Sequence, residues 1–136
     1  MPNTVTNTRL LAGQKKVVQY VVIDSDGTEE TDLVIYDSSA VATVIGVTDP
    51  LKSSITSIEY STNSLLGVVK LEWDASTDVL AWAFPANGGT SKFDFSQFGG
   101  LKNTAGTGIT GDILLTTTGL VAGDAVSLVI TVDPNV

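Results

Sequence analysis

The chain has 136 residues, 43% hydrophobic and 16% charged, which places it among folded single domains able to bury a core without disulfides or a metal. Its net charge of −8 at pH 7, from seven basic and fifteen acidic side chains, excludes a protein that grips nucleic acid by displacing counterions. With no histidine and no cysteine, Ser-His-Asp and Cys-His catalysis, imidazole or thiolate metal centres and disulfides are all excluded. Thr4 to Leu11 mixes β-branched and polar residues and ends at Ala12-Gly13, so residues 1–13 read as an N-terminal arm or edge strand. Residues 14–136 read as the domain proper. Lys15 to Ile23 is a strand by its β-branched and aromatic content. Asp24-Ser25-Asp26-Gly27 has the chemistry of an Asp-Gly hairpin turn, and a second strand runs from about Glu30 to Tyr36.

Ser38 to Gly46 favours a short helix capped by Ser38 or Ser39, or an irregular connection, with a short strand over Val41 to Val47 as the alternative, and Thr48-Asp49-Pro50 closes it. Ser54 to Ser61 is a strand with Ile55 and Ile58 apolar. After Asn63-Ser64 comes the clearest pair of strands in the chain. Val69, Leu71 and Trp73 share one face, and Leu80, Trp82 and Phe84 alternate against Val79, Ala81 and Ala83. The polar run Asp74 to Asp78 between them makes an antiparallel hairpin. Pro85-Ala86-Asn87-Gly88-Gly89 breaks the pattern, and Ser91 to Phe98 brings three phenylalanines together. Gly99 to Gly111 is a Gly- and Thr-rich loop of a length that is usually functional or covered. Asp112 to Thr117 and Ala125 to Val132 are closing strands, with Gly119 to Asp124 expected as a hairpin connection. Seven to nine short strands and at most one short helix give an all-β fold, a single β-sandwich of jelly-roll or immunoglobulin-like layout.

The chemistry-bearing candidates all have a plain structural reading beside the functional one. Asp74 with Asp78, and Asp24 with Asp26, could be carboxylate pairs for hydrolysis, but carboxylates at hairpin ends form turns far more often. An EF-hand alignment on Gly27 puts Val22 and Leu33 at ligand positions, which rejects the helical calcium loop. A surface Ca²⁺ site from Asp24, Asp26 and Glu29 stays open. Gly106-Thr107-Gly108-Ile109-Thr110-Gly111 spells a dinucleotide motif but leads into a strand pattern, not a helix, so it carries no phosphate site. Trp82, Phe84, Phe93, Phe95 and Phe98 form either a sugar platform or, as such residues more commonly do, part of the core. No enzyme activity, cofactor or resident metal is expected. Met1-Pro2-Asn3-Thr4-Val5 lacks a signal-peptide pattern, and no apolar run nears the roughly 18 residues of a membrane span. Synthesis in a cytoplasm is expected.

Leu71 to Pro85, Lys92 to Asn103, Ala105 to Leu115 and Ala122 to Thr131 together resemble small structural proteins of tailed bacteriophages, especially marine ones. Val17 to Asp37 resembles them more loosely. The resemblance implies a virion component, foremost a decoration (cement) protein on the capsid exterior that binds the major capsid protein and self-associates as a trimer or other oligomer. A tail, neck or fibre component is the alternative, and a carbohydrate-binding module on the virion the second. Neither nucleic acid nor membrane is an expected partner. Attachment through the arm and the Gly99 to Gly111 loop makes Thr4, Thr6, Arg9, Leu101, Asn103, Thr107 and Ile109 the candidate partner contacts.

Overall fold

Ten strands, one α-helix and one 3-10 turn form the regular structure of the computed structural model, which describes residues 4–13, 16–45, 53–63, 67–85 and 89–134. In chain order these are β1 (Thr4–Ala12), β2 (Val17–Asp24), β3 (Leu33–Tyr36), α1 (Ser38–Ile45), β4 (Ser54–Thr62), β5 (Val68–Trp73) and β6 (Val79–Pro85). They continue with β7 (Thr90–Asp94), the 3-10 turn (Ser96–Phe98), β8 (Leu101–Lys102), β9 (Ile113–Thr118) and β10 (Ala125–Asp133). The expected breaks at Thr48-Asp49-Pro50 and Ala86-Asn87-Gly88, the helix end at Gly46 and the turn residue Ser64 lie outside the described residues.

The fold is an all-β sandwich of two antiparallel sheets. One sheet runs β1-β2-β10-β4-β7, with β8 also on β4, and the other runs β3-β9-β5-β6. The strand pairs describe one long antiparallel ribbon. Its closed end is the β5–β6 hairpin, followed outward by β4–β7, β3–β9 and β2–β10. Rolling the ribbon over itself brings β10 onto β4 and β9 onto β5. That connectivity is a jelly roll, which decides between the two layouts left open by the sequence. β1 is an additional strand outside β2.

Two expected hairpins are corrected by this topology. β2 and β3 lie in different sheets, so Asp24-Ser25-Asp26-Gly27 turns the chain across the sandwich instead of folding it back on a neighbour. Gly119 to Asp124 likewise crosses, from β9 in one sheet to β10 in the other. The two crossings bind each other: Ser25 N–H donates to the Asp124 carbonyl at 2.8 Å, and Gly123 N–H to the Ser25 carbonyl at 3.0 Å. Their backbone groups are satisfied there because no ladder is available at the corner.

The opening arm of β3 is also shorter than its alternation suggests. Asp32 adopts φ 52°, a left-handed conformation that interrupts an extended strand. Glu30 and Asp32 N–H groups donate instead to the hydroxyls of Thr117 and Thr116.

A bulge alters the opening hairpin. Leu71 faces Trp82 but Glu72 faces Leu80, leaving Ala81 as the extra residue. Side chains before and after a bulge change face, so Val79 turns inward beside Trp73 while Leu80 points out and is 54% exposed. A second bulge at Thr56 explains how both Ile55 and Ile58 are buried despite their odd spacing.

α1 is a helix, but neither expected serine caps it. Asp37 does, its carboxylate accepting from Ser39 N–H, Ala40 N–H and the Ser39 hydroxyl. Ser38 instead reaches across to Asp112 and the Thr110 carbonyl.

Trp73, Tyr36, Phe84, Ile58, Leu71, Leu115 and Leu128 are the bulk of the core between the sheets. On the β6 and β7 side, aromatic rings close the sandwich. Tyr60 stacks on Phe84 at 3.9 Å, and Trp82 sits 5.3 Å from Phe93 and 5.0 Å from Phe95.

Candidate interaction surface

The six-stranded sheet has a core face and an outer face, and the outer one is unusual. On β2 the core face carries Val17, Gln19, Val21 and Ile23, all buried. Its outer face carries Val18, Tyr20 and Val22, half-buried by neighbours within the sheet. The ladder registers extend this into cross-strand rows, Thr8-Tyr20-Val129-Glu59-Lys92 and Thr6-Val22-Ser127-Ser61-Thr90. A third row is Leu11-Val18-Thr131-Ser57-Asp94. An antiparallel sheet facing water ordinarily alternates apolar in and polar out. Here the middle of the outer face is three valines and a tyrosine ringed by threonine and serine hydroxyls. Asp24 and Asp133 lie at the ends of β2 and β10, and the charges of these rows, Glu59, Lys92 and Asp94, lie toward the β7 side. An open depression of about 340 Å³ on that side is lined by Lys16, Thr56, Ser57, Lys92, Asp94, Ser96 and Thr131.

The expected contact residues divide between two places. Thr4, Thr6 and Arg9 lie on β1, at one edge of the six-stranded sheet, and all are exposed. Leu101 lies on β8 at the opposite edge, against β4. Three strands separate them, so arm and loop do not form one surface. Of the expected contacts within the loop, only Thr107 is exposed. Leu101 and Ile109 are half-buried against the core. Asn103 is 5% exposed, and its carboxamide oxygen accepts from Ala105 N–H at 3.0 Å. Its side chain is committed to shaping the loop. Rather than offering a free surface, the loop is knit to the β5–β6 turn: Ser76 N–H donates to the Thr107 carbonyl and the Thr110 hydroxyl to Asp74.

The acidic candidates are likewise engaged locally. Asp78 accepts from Ala75 N–H inside its own turn. Asp26 binds Thr28 N–H and its hydroxyl, and Glu29 turns away to Leu120 N–H, so Asp26 and Glu29 serve separate turns. Hydrogen bonds from Thr28 hold the Asp26 carboxyl below its ordinary pKa. Asp94, bonded by Ser96 at the start of the 3-10 turn, is lowered in the same way. Among the described residues the three carboxylates that approach within 4.8 Å are a different set, Asp32, Glu72 and Asp78. Glu72 there already accepts from the Thr116 hydroxyl.

The aromatic cluster is mostly interior. Trp73 is 1% exposed, and the Trp82 indole nitrogen is buried without a hydrogen-bond partner among the described residues. Phe98, at 65%, is the exposed member of the cluster. No helix of the described residues is long and apolar enough to cross a membrane.

What sequence reasoning missed is the outer face itself. Val17 to Ile23 is apolar at every position but Gln19 and so shows no alternation, and only the placement of β1 and β10 on either side shows that half of it faces outward.

No family model and no curated protein matches the chain. Among solved structures it is similar to a family 29 carbohydrate-binding module, with a TM-score of 0.40 and 8% identity over 96% of this chain and 75% of that one. It is similar too to a variant of such a module made to probe ligand recognition, with a TM-score of 0.39, 8% identity, and coverage of 96% and 73%.

Proposed function

We propose that this protein is a bacteriophage virion component, a capsid decoration protein that lies on the major capsid protein and reinforces the head. The reading rests on the sequence resemblance. The observation that carries it is the wide outer face of the six-stranded sheet, with an uncharged centre on a molecule of net charge −8. Five strands spaced about 4.8 Å apart and eight residues long span on the order of 650 Å². That approaches the roughly 800 Å² per partner of a stable protein interface. A face of valine, tyrosine and hydroxyls contributes modestly per copy, and icosahedral repetition multiplies it. The jelly roll is neutral in this choice, since capsid and lectin domains share it.

The test is binding of purified protein to capsids lacking it, with Tyr20→Asp and Val129→Asp compared against wild type. The proposal expects hundreds of wild-type copies per particle and loss of binding in both folded variants. Unchanged binding by the variants overturns the role of this face, and a few copies per particle overturns the cement reading. A sixfold or twelvefold ring at the portal vertex would select the tail or neck alternative.

A further inference from the structure

Every open sheet must deal with its edges, because an unpaired row of N–H and C=O groups is a template for another strand. Three edges of this sandwich are guarded. β3 has four residues and a register shift between Val34 and Tyr36, and the Asn7 side chain covers its Ile35 carbonyl. β6 carries the bulge at Ala81 and ends at Pro85. β7 has five residues, with Lys92 and Asp94 among them.

β1 has none of these devices along its first half. It is nine residues long, mostly exposed, and holds neither lysine nor proline nor acid. Its bulge comes only after Arg9, so the ladder from Thr4 to Arg9 is regular, and among the described residues no strand pairs with its other side.

The sequence of that edge is nearly the same in both directions: Thr4-Val5-Thr6-Asn7-Thr8. We propose that β1 pairs antiparallel with β1 of a second copy about a two-fold axis at Thr6. This register sets Thr6 against Thr6, Thr4 against Thr8 and Val5 against Asn7. Thr4, Thr6 and Thr8 follow the side of β2 that carries Asp24, Val22 and Tyr20, so the threonines form a cross-strand ladder on the outer face.

Charge permits the approach. Residues 1–23 contain Arg9, Lys15 and Lys16 and no acid, a local +3 that leaves −11 on the rest of a chain of net −8. Two copies meeting at β1 therefore join by the part of each molecule that is not acidic. The two Arg9 residues stand about 20 Å apart at this register, between about two and three Debye lengths at physiological salt, so they do not oppose pairing. The bulge after Arg9 ends the pairing and discourages slipped registers. The product is one sheet continuous across two molecules, with the outer face doubled in width. The pairing is a property of the free protein and stands whether or not that face binds a capsid.

Sedimentation equilibrium on the purified full chain tests it, with circular dichroism confirming the fold of each variant. Wild type is expected at twice 14.1 kDa. Thr6→Asp sets like charges directly opposite each other at the axis and is expected at the monomer mass. Mixing Thr6→Asp with Thr6→Lys is expected to restore the dimer. The chain has no cysteine, so Thr6→Cys introduces a lone thiol, expected to cross-link to itself under oxidation while Thr8→Cys does not. A monomeric or trimeric wild type overturns the proposal, and so does a Thr6→Asp dimer. Should Thr6→Asp misfold, the cross-linking pattern decides: Thr8→Cys linking as readily as Thr6→Cys overturns the register.

Discussion

Gln19 Nε2 donates to Asn7 Oδ1 at 2.7 Å, and Asn7 Nδ2 donates in turn to the Ile35 carbonyl at 3.1 Å. This chain of two hydrogen bonds runs from β2 through β1 to the edge of β3 and ties the two sheets together. Gln19 stands on the core face of β2 and is only 8% exposed, so its amide depends on Asn7. Asn7→Ala leaves that amide and the Ile35 carbonyl without their partners, at an expected cost of about 1–3 kcal/mol. Urea unfolding reads the loss as a lower midpoint, and hydrogen exchange should show β1 losing protection before β2. An unchanged midpoint would mean that water replaces Asn7 without penalty.

The bulge at Ala81 makes neighbouring positions in β6 unequal in a way that plain alternation does not. Leu80 points outward, whereas Trp73 on the partner strand is fully enclosed. Leu80→Thr is therefore expected to change stability by less than about 0.5 kcal/mol, as surface substitutions do. Trp73→Ala should cost about 3–5 kcal/mol for the lost burial and the cavity left behind. A Leu80→Thr loss comparable to a core truncation would show that the strand carries no bulge in solution.

Strand content was legible because β-branched runs bounded by Gly, Asp and Pro are local signals. The corners were not. Asp24-Ser25-Asp26-Gly27 turns the chain equally well whether the strands it joins pair or part. The decision lies in which strands share a core, and that is set by Leu115 meeting Leu71 and Val21 meeting Leu128 far along the chain. Asp37 caps α1 although Ser38 and Ser39 are good caps too, because Asp112, distant in sequence, takes Ser38 away. The exposed edge at Thr4, Thr6 and Arg9 was visible as an arm or edge strand. Asn103 looked available because a polar loop residue gives no local sign that it will be buried.

Gly108 is held by a close approach that only glycine permits. Its φ is +79°, and a Cβ there would overlap the Ser76 hydroxyl and press on the Ser76 backbone nitrogen. Gly108→Ala is expected to cost more than the ~1 kcal/mol typical of left-handed strain alone. Ser76→Ala in the same chain should recover only part of the loss, since the backbone nitrogen remains in the way. The loop joins β8 to β9, so thermal unfolding of the single and double variants measures how firmly it is pinned to the β5–β6 turn. Full recovery in the double variant would place the conflict in the hydroxyl alone.

Asp112 and Asp37, on either side of Ser38, pull acid stability in opposite directions. Burial raises the pKa of Asp112 above its ordinary 3.8, against hydrogen bonds from Ser38 that lower it. Its folded form thus prefers the proton. Ionised Asp112 opposes folding at neutral pH, and that opposition fades as pH falls through its raised folded pKa. Asp37 is lowered below 3.8, chiefly by the Ser39 hydroxyl, so its contribution is present above the unfolded pKa and is lost as pH falls through the depressed folded value. Asp112→Asn keeps an oxygen to accept from Ser38 N–H at the 2.8 Å position but removes the titration. The difference in unfolding midpoint between wild type and Asp112→Asn should therefore shift toward wild type as pH falls from neutral to just above 3.8. Asp112→Ala removes the acceptor as well and should be about 1–3 kcal/mol less stable than Asp112→Asn throughout that range. Parallel pH profiles for wild type and Asp112→Asn would show that the carboxyl is better solvated than its place against Ser38 implies.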